Sequence, residues 1–268
     1  MTYHISIAGK GSAGKSTLLP LVIASARQSR PRARILVVDA DPQHGATDVL
    51  NMCPKTTLGD LLNTHAAMLR SGKGLEEARD TWLRAKIQEQ AILRIAGFDF
   101  LAMGRSTARG CQCIVNNLLG RALGVVMQDY DILITDNEAG LEHMGRFADL
   151  PVDHLLLIAL LDDLFLNVAQ MIHQQGRDAE REIRHTTLLL NQTNESEAAA
   201  FWQRLAELDS LGIAYGGAVP PLSALHHRPI SPSLVMQAYW WGDVGQLFRS
   251  VLALEEEGFE PLARRYSA

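Results

Sequence analysis

Ile5-Ser6-Ile7-Ala8-Gly9-Lys10-Gly11-Ser12-Ala13-Gly14-Lys15-Ser16-Thr17 is the stretch on which the reading of this chain turns. Apolar residues run up to Gly9, glycines follow, and a helix-forming run begins at Lys15. The string fits G-x-x-x-x-G-K-[ST], a loop between a strand and a helix that cradles phosphate. Glycine lets the backbone bend tightly and turn its N–H groups toward an anion. The N-terminus of the following helix adds partial positive charge. Gly9, Gly11, Ser12, Ala13, Gly14, Lys15, Ser16 and Thr17 are therefore candidate ATP-binding residues. Lys15 is expected to reach the β- and γ-phosphates, and the Ser16 hydroxyl to ligate Mg²⁺. Lys10 has no part in cradling phosphate within one subunit, so its place directly after Gly9 asks for another explanation.

Outward from the loop, the apolar spacing predicts a helix from Lys15 to about Arg30, with Leu18, Leu19, Val22, Ile23 and Ala26 on one side. The basic run Arg27 to Arg34 reads as a solvated connector rather than a nucleic-acid site. Ile35-Leu36-Val37-Val38 is a continuous aliphatic run, the mark of a strand covered on both faces of a parallel sheet. Asp39-Ala40-Asp41 follows at its carboxyl end, where open α/β sheets carry ligands, so both carboxylates are placed for Mg²⁺ and water. Tyr130 to Asp136 is a second buried strand ending in an aspartate, as a Walker-B strand does, and Asp136 is expected to hold a Mg²⁺-bound water.

Residues Leu58 to about Leu93 repeat apolar positions at helical spacing, and Phe98 to Met103 reads as a strand ending at Gly104. His154 to Ala159 predicts a strand, Asp162-Asp163 opens a helix to about Gln175, and Thr186 to Gln192 is another strand. Ile213 to Pro220 is a short strand. A last helix is expected from about Leu234 to Leu254, with Val235, Tyr239, Trp240, Val244, Leu247, Phe248 and Val251 as an apolar stripe. Glu255-Glu256-Glu257 follows it, which an anionic membrane would repel, so the stripe reads as core packing. The fold expected is α/β, a mostly parallel central sheet flanked by helices, with all 268 residues in one domain.

The net charge of −5 argues against a polyanion-binding surface, so no nucleic-acid partner is expected. No basic-then-apolar leader and no long apolar span is visible, which predicts a cytoplasmic protein without a membrane partner. Three cysteines do not make a disulfide framework. Two of them stand together in Gly110-Cys111-Gln112-Cys113. A C-x-C pair supplies half of a tetrahedral thiolate site, and a two-fold axis through it would bring four thiolates together. The other reading takes both as small hydrophobes.

Lys10 in this loop resembles the deviant P-loop of the MinD/ParA/nitrogenase iron-protein class, where such a lysine contacts the nucleotide of a partner subunit. Asp39-Ala40-Asp41-Pro42-Gln43 resembles the switch I segment of that class, which implies that Asp41 activates the attacking water while Asp39 sits near the Mg²⁺ shell. Here His44-Gly45-Ala46 follows where relatives often carry an asparagine, and Ser12-Ala13 stands where they usually carry glycine and a second small residue. Met103-Gly104-Arg105, the C-x-C string, Val115-Asn116-Asn117-Leu118-Leu119 and Asp136-Asn137-Glu138-Ala139-Gly140-Leu141-Glu142-His143 lie in order behind the loop. Together they resemble the CooC-type ATPases, the nickel-insertion accessory proteins of carbon monoxide dehydrogenase. The resemblance implies a homodimer sandwiching ATP, with Cys111 and Cys113 of both copies binding one Ni²⁺ or Zn²⁺ for delivery to that enzyme. It also implies that Asn191 reads the adenine base. A ParA/MinD-like positioning ATPase and a nitrogenase-iron-protein-like electron donor are the alternatives.

Overall fold

The computed structural model describes residues 2–41, 45–70, 79–104, 120, 122–137, 150–178, 182–222, 230–231, 235 and 242–252. Eight strands form one sheet: β1 Tyr3–Ala8, β2 Ile35–Asp39, β3 Ile92–Ile95, β4 Phe98–Ala102, β5 Ile132–Asp136, β6 Val152–Ala159, β7 Ile183–Asn191 and β8 Ala214–Val219. Their order is β3-β4-β2-β5-β1-β6-β7-β8. Every neighbouring pair is parallel except β3 with β4. β2, β5 and β6 are buried along their whole length, as strands sandwiched between helical layers must be.

Alternate side chains feed opposite cores. Ile5, Ile7, Val37, Ile134, Leu156 and Ile158 face α1 (Lys15–Ser29) and α8 (Gly242–Leu252), whose Phe248, Val251 and Leu252 are buried there. On the other face Leu36, Val38, Leu101 and Leu133 meet Leu58, Leu61 and Leu62 of α3 (Leu58–Arg70). Leu155, Leu157, Leu188 and Leu190 meet α5 (Asp163–Asp178) and α7 (Trp202–Ser210). Short helices α2 (Gly45–Val49), α4 (Arg79–Lys86) and α6 (Glu195–Ala199) complete the labelled elements.

The α/β class and the parallel sheet follow the sequence expectation, and Val244, Leu247, Phe248 and Val251 pack inward on the core as expected. Two expectations need correction. The helical reading of 58 to about 93 overruns: after α4 the chain makes one π-helical turn, Ile87–Ala91, and Ile92–Ile95 is strand β3. Gly97, at φ +102, turns β3 back onto β4 as an antiparallel edge hairpin, so Ile92 and Ile95 pair across strands instead of extending a helix. Tyr130 lies before β5, its N–H closing a turn on the Met127 carbonyl at 2.9 Å. Helices α6 and α7 were not expected. Their signal was in the sequence: Asn194 and Glu197 form a reciprocal capping box at the start of α6. No described helix is long and apolar enough to cross a membrane.

Candidate nucleotide site

Four strand ends converge on one edge of the sheet. Ile7 of β1 and Asp39 of β2 both stand in register with Asp136 of β5, and β7 ends at Asn191. The loop Gly9–Gly14 leaves β1 and enters α1 here. Gly9 has φ +151, and a Cβ on it would lie 2.2 Å from the Ile158 carbonyl oxygen. Gly14 has φ +91, and a Cβ there would lie 2.2 Å from the Asn191 amide nitrogen. Both positions therefore require glycine for conformation and for space. α1 carries no acidic residue in its first turn, so nothing neutralises the positive pole behind the loop. Lys15 is only 8% exposed, and its ammonium donates to the carbonyls of Gly9 at 3.2 Å and Lys10 at 3.4 Å, spanning the loop.

The acidic side of the site faces this cation. Asp136 is fully buried, and neither carboxylate oxygen has a hydrogen-bond partner among the described residues. Burial pushes its carboxyl up to about 7, against the pull of the nearby Ser16 hydroxyl and the Lys15 ammonium. Two orphaned buried oxygens beside a serine hydroxyl fit a hydrated divalent cation, because Mg²⁺ keeps several waters and takes few protein ligands. Among the described residues no group of three or more His, Cys, Asp or Glu side chains is gathered to hold a metal by themselves.

Asp39 is also fully buried, and its Oδ2 accepts from the backbone N–H of Thr47 at 2.8 Å and from the Thr47 hydroxyl. Burial raises its pKa, while the two Thr47 bonds lower it. These bonds hold α2 against the end of β2. A Cβ on Gly45 would lie 2.8 Å from Ser16 Oγ and 3.7 Å from Asp41 Oδ2, so the Asp41 carboxylate and the Ser16 hydroxyl flank one backbone point. Asp41 is thus brought to the mouth of the loop. Asn137 braces the same edge: its Nδ2 donates to Ser6 Oγ at 2.9 Å and to the Ile7 carbonyl at 2.8 Å.

Two residues take positions that their sequence reading did not contain. Asn191 donates from Nδ2 to the Ala13 carbonyl at 2.9 Å and accepts the Gln192 N–H on Oδ1 at 3.0 Å, so its amide ties β7 to the phosphate loop. The Lys10 ammonium lies 4.7 Å from the ring centroid of Phe165, in the first turn of α5, a cation–π contact. Neither contact is visible in local pattern, because each joins segments more than 150 residues apart. Pro42, Gln43, His44, Cys111, Cys113, Glu138, Gly140, Glu142 and His143 lie outside the described residues. Cys53 is described, free and exposed.

No family model matches the chain. An uncharacterised ATP-binding protein of Methanocaldococcus jannaschii is 30% identical over 190 residues, which make up 70% of this chain and 73% of that one. This chain belongs to the same family of ATP-binding proteins. The carbon monoxide dehydrogenase accessory protein CooC of Rhodospirillum rubrum is a more distant relative, 28% identical over 184 residues, 65% of this chain and 69% of its own. A Cyanothece McdA–ATP complex superposes on this chain with a TM-score of 0.65 at 17% identity, covering 96% of this chain and 99% of that one. MinD of Pyrococcus horikoshii, solved with Mg-ADP, gives a TM-score of 0.58 at 18% identity, with 93% of each chain covered. These two carry the fold alone.

Proposed function

We propose that this chain is an ATP-hydrolysing metallochaperone of the cytoplasm. It acts as a homodimer that carries nickel, or zinc, between its two copies and delivers nickel to carbon monoxide dehydrogenase. One observation carries the reading: a P-loop ATPase related to CooC has Cys111 and Cys113 at C-x-C spacing between its switch carboxylates. Two such pairs across a two-fold axis supply the four thiolates of a tetrahedral site.

The chemistry asked of the other residues is modest. The N–H groups from Gly11 to Thr17 and the Lys15 ammonium hold the β- and γ-phosphates. Mg²⁺, when bound through Ser16 and the carboxylates of Asp39 and Asp136, neutralises charge on the phosphate oxygens. Asp41 accepts a proton from the attacking water. Lys10 leaves the Phe165 ring and places its cation on the partner's nucleotide, acting as an arginine finger does. Asn191 keeps its amide on Ala13 and offers its edge to the adenine.

The test is metal content per dimer, measured on anaerobically purified protein with and without a non-hydrolysable ATP analogue. One Ni²⁺ or Zn²⁺ per dimer is expected, lost in Cys113→Ser while nucleotide binding is retained. Unchanged metal stoichiometry in Cys113→Ser, or a chain that stays monomeric with ATP and nickel present, overturns the proposal.

A further inference from the structure

At the edge of the sheet opposite the phosphate loop, the basic connector closes over a cavity of about 200 Å³. It is lined by Arg27, Arg34, Ile35, Ile95, Phe98 and Tyr130, with Asp99 at one side. Ile35, Phe98 and Tyr130 stand at or just before the first residues of β2, β4 and β5, whose far ends carry the nucleotide edge. Ile35 and Phe98 are almost wholly buried beneath it, so the surface it offers is mainly polar, with a cationic rim.

The rim has donors to spare. Arg27 is half-buried and donates from Nε to the Gly97 carbonyl at 3.0 Å, from one terminal nitrogen to the same oxygen, and from the other to the Pro31 carbonyl at 2.7 Å. A guanidinium carries five N–H groups, so two remain. Burial lowers the Arg27 pKa, the signature of a cation held without an anion to compensate it. The Arg34 guanidinium lies 5.0 Å from the centroid of the Tyr130 ring, a face contact that itself engages none of its N–H groups. Among the described residues, no carboxylate lies within ion-pair distance of either arginine. Asp99, which also lines the cavity, accepts the Tyr130 hydroxyl at 2.7 Å, and Asp131 accepts the Arg34 backbone N–H at 2.7 Å.

We propose that this cavity is a binding site for a small phosphate dianion, free or as the head of a phosphomonoester, held between Arg27 and Arg34. Two guanidiniums from one connector match a dianion in charge and in bidentate geometry. The site lies apart from the phosphate loop, so both can be filled together.

Calorimetry on the full chain, with the phosphate loop saturated by Mg-ADP, tests this with phenyl phosphate as the probe. One phenyl phosphate per chain is expected. Arg34→Gln should weaken it about tenfold, the loss of one charge-assisted contact. Arg27→Gln should weaken it too, but Arg27 also ties the connector to the hairpin; should that variant fail to fold, exposed Arg34 alone decides. Titration that does not saturate by about 10 mM, in the millimolar range where a weak small-ligand site is half filled, overturns the proposal. So does equal affinity in wild type and Arg34→Gln. Inorganic phosphate should compete with phenyl phosphate for the site, because both present the same dianion; its failure to compete overturns the proposal.

Discussion

Asp41, Lys10 and Ser12 show how much can rest on single side chains at one loop. Asp41→Ala should stop phosphate release and leave an ATP-bound dimer that survives gel filtration; normal turnover would remove Asp41 from catalysis. Lys10→Ala should lower hydrolysis, and the deficit should be visible in steady-state phosphate release at a protein concentration where wild type is dimeric. Wild-type turnover would make Lys10 an ordinary loop residue. Ser12 sits at φ +67, a left-handed conformation that costs a residue with a Cβ. Ser12→Gly should therefore raise stability by about 0.5–1 kcal/mol after the looser unfolded chain is discounted, as measured by urea unfolding. At this scale the sequence was informative wherever chemistry demands a residue type in a local string. Lys15, Ser16 and Asp136 could be placed because glycine spacing and a buried strand end leave few alternatives. The tie from Asn191 to Ala13 and the seat of Lys10 on Phe165 could not, since both depend on which distant strands become neighbours.

Elements were legible in proportion to how much they bury. β2, β5 and β6 are sandwiched between helices and read as unbroken aliphatic runs. β3 is an edge strand fully buried only at Ile92, and its first two residues fitted a helical period as well as an extended one. The α6–α7 pair went unread although Asn194 and Glu197 mark its start. Asn194→Ala should cost about 1 kcal/mol in a denaturant titration, the usual loss for a helix N-cap. An unchanged midpoint would mean that the cap is redundant there. Gly14→Ala should be far more damaging, because the new methyl must displace the Asn191 amide and hold a left-handed backbone. Its expected signature is lost nucleotide binding with the circular dichroism spectrum retained.

For the whole molecule, the histidines buried between strands set an acid limit. His154 is kept neutral, its pKa pushed down to about 4 chiefly by burial and further by His185, whose ring centroid lies 6.3 Å away. Between its ordinary 6.5 and about 4, the unfolded chain takes up a proton that the folded chain refuses, so His154 makes stability fall as pH drops through that window. The raised carboxyls of Asp39 and Asp136 act in the opposite sense, binding protons in the folded state and losing stability as pH rises. The readout is therefore a difference. His154→Gln can keep the bond to Thr187 and should flatten the loss between pH 6.5 and 4 relative to wild type, with urea midpoints taken at stepped pH. Parallel profiles would show that His154 protonates without unfolding.

The clearance around Gly9 and Gly14 has one more consequence. Ile158 on one flank and Asn191 behind leave the phosphate loop no room to slide toward β6 or β7. The opposite flank is bounded instead by Asp41, Gly45 and the Thr47 anchor. On the proposed function, a signal of nucleotide state would leave the site on that side, where the Thr47–Asp39 hydrogen bonds join α2 to the sheet.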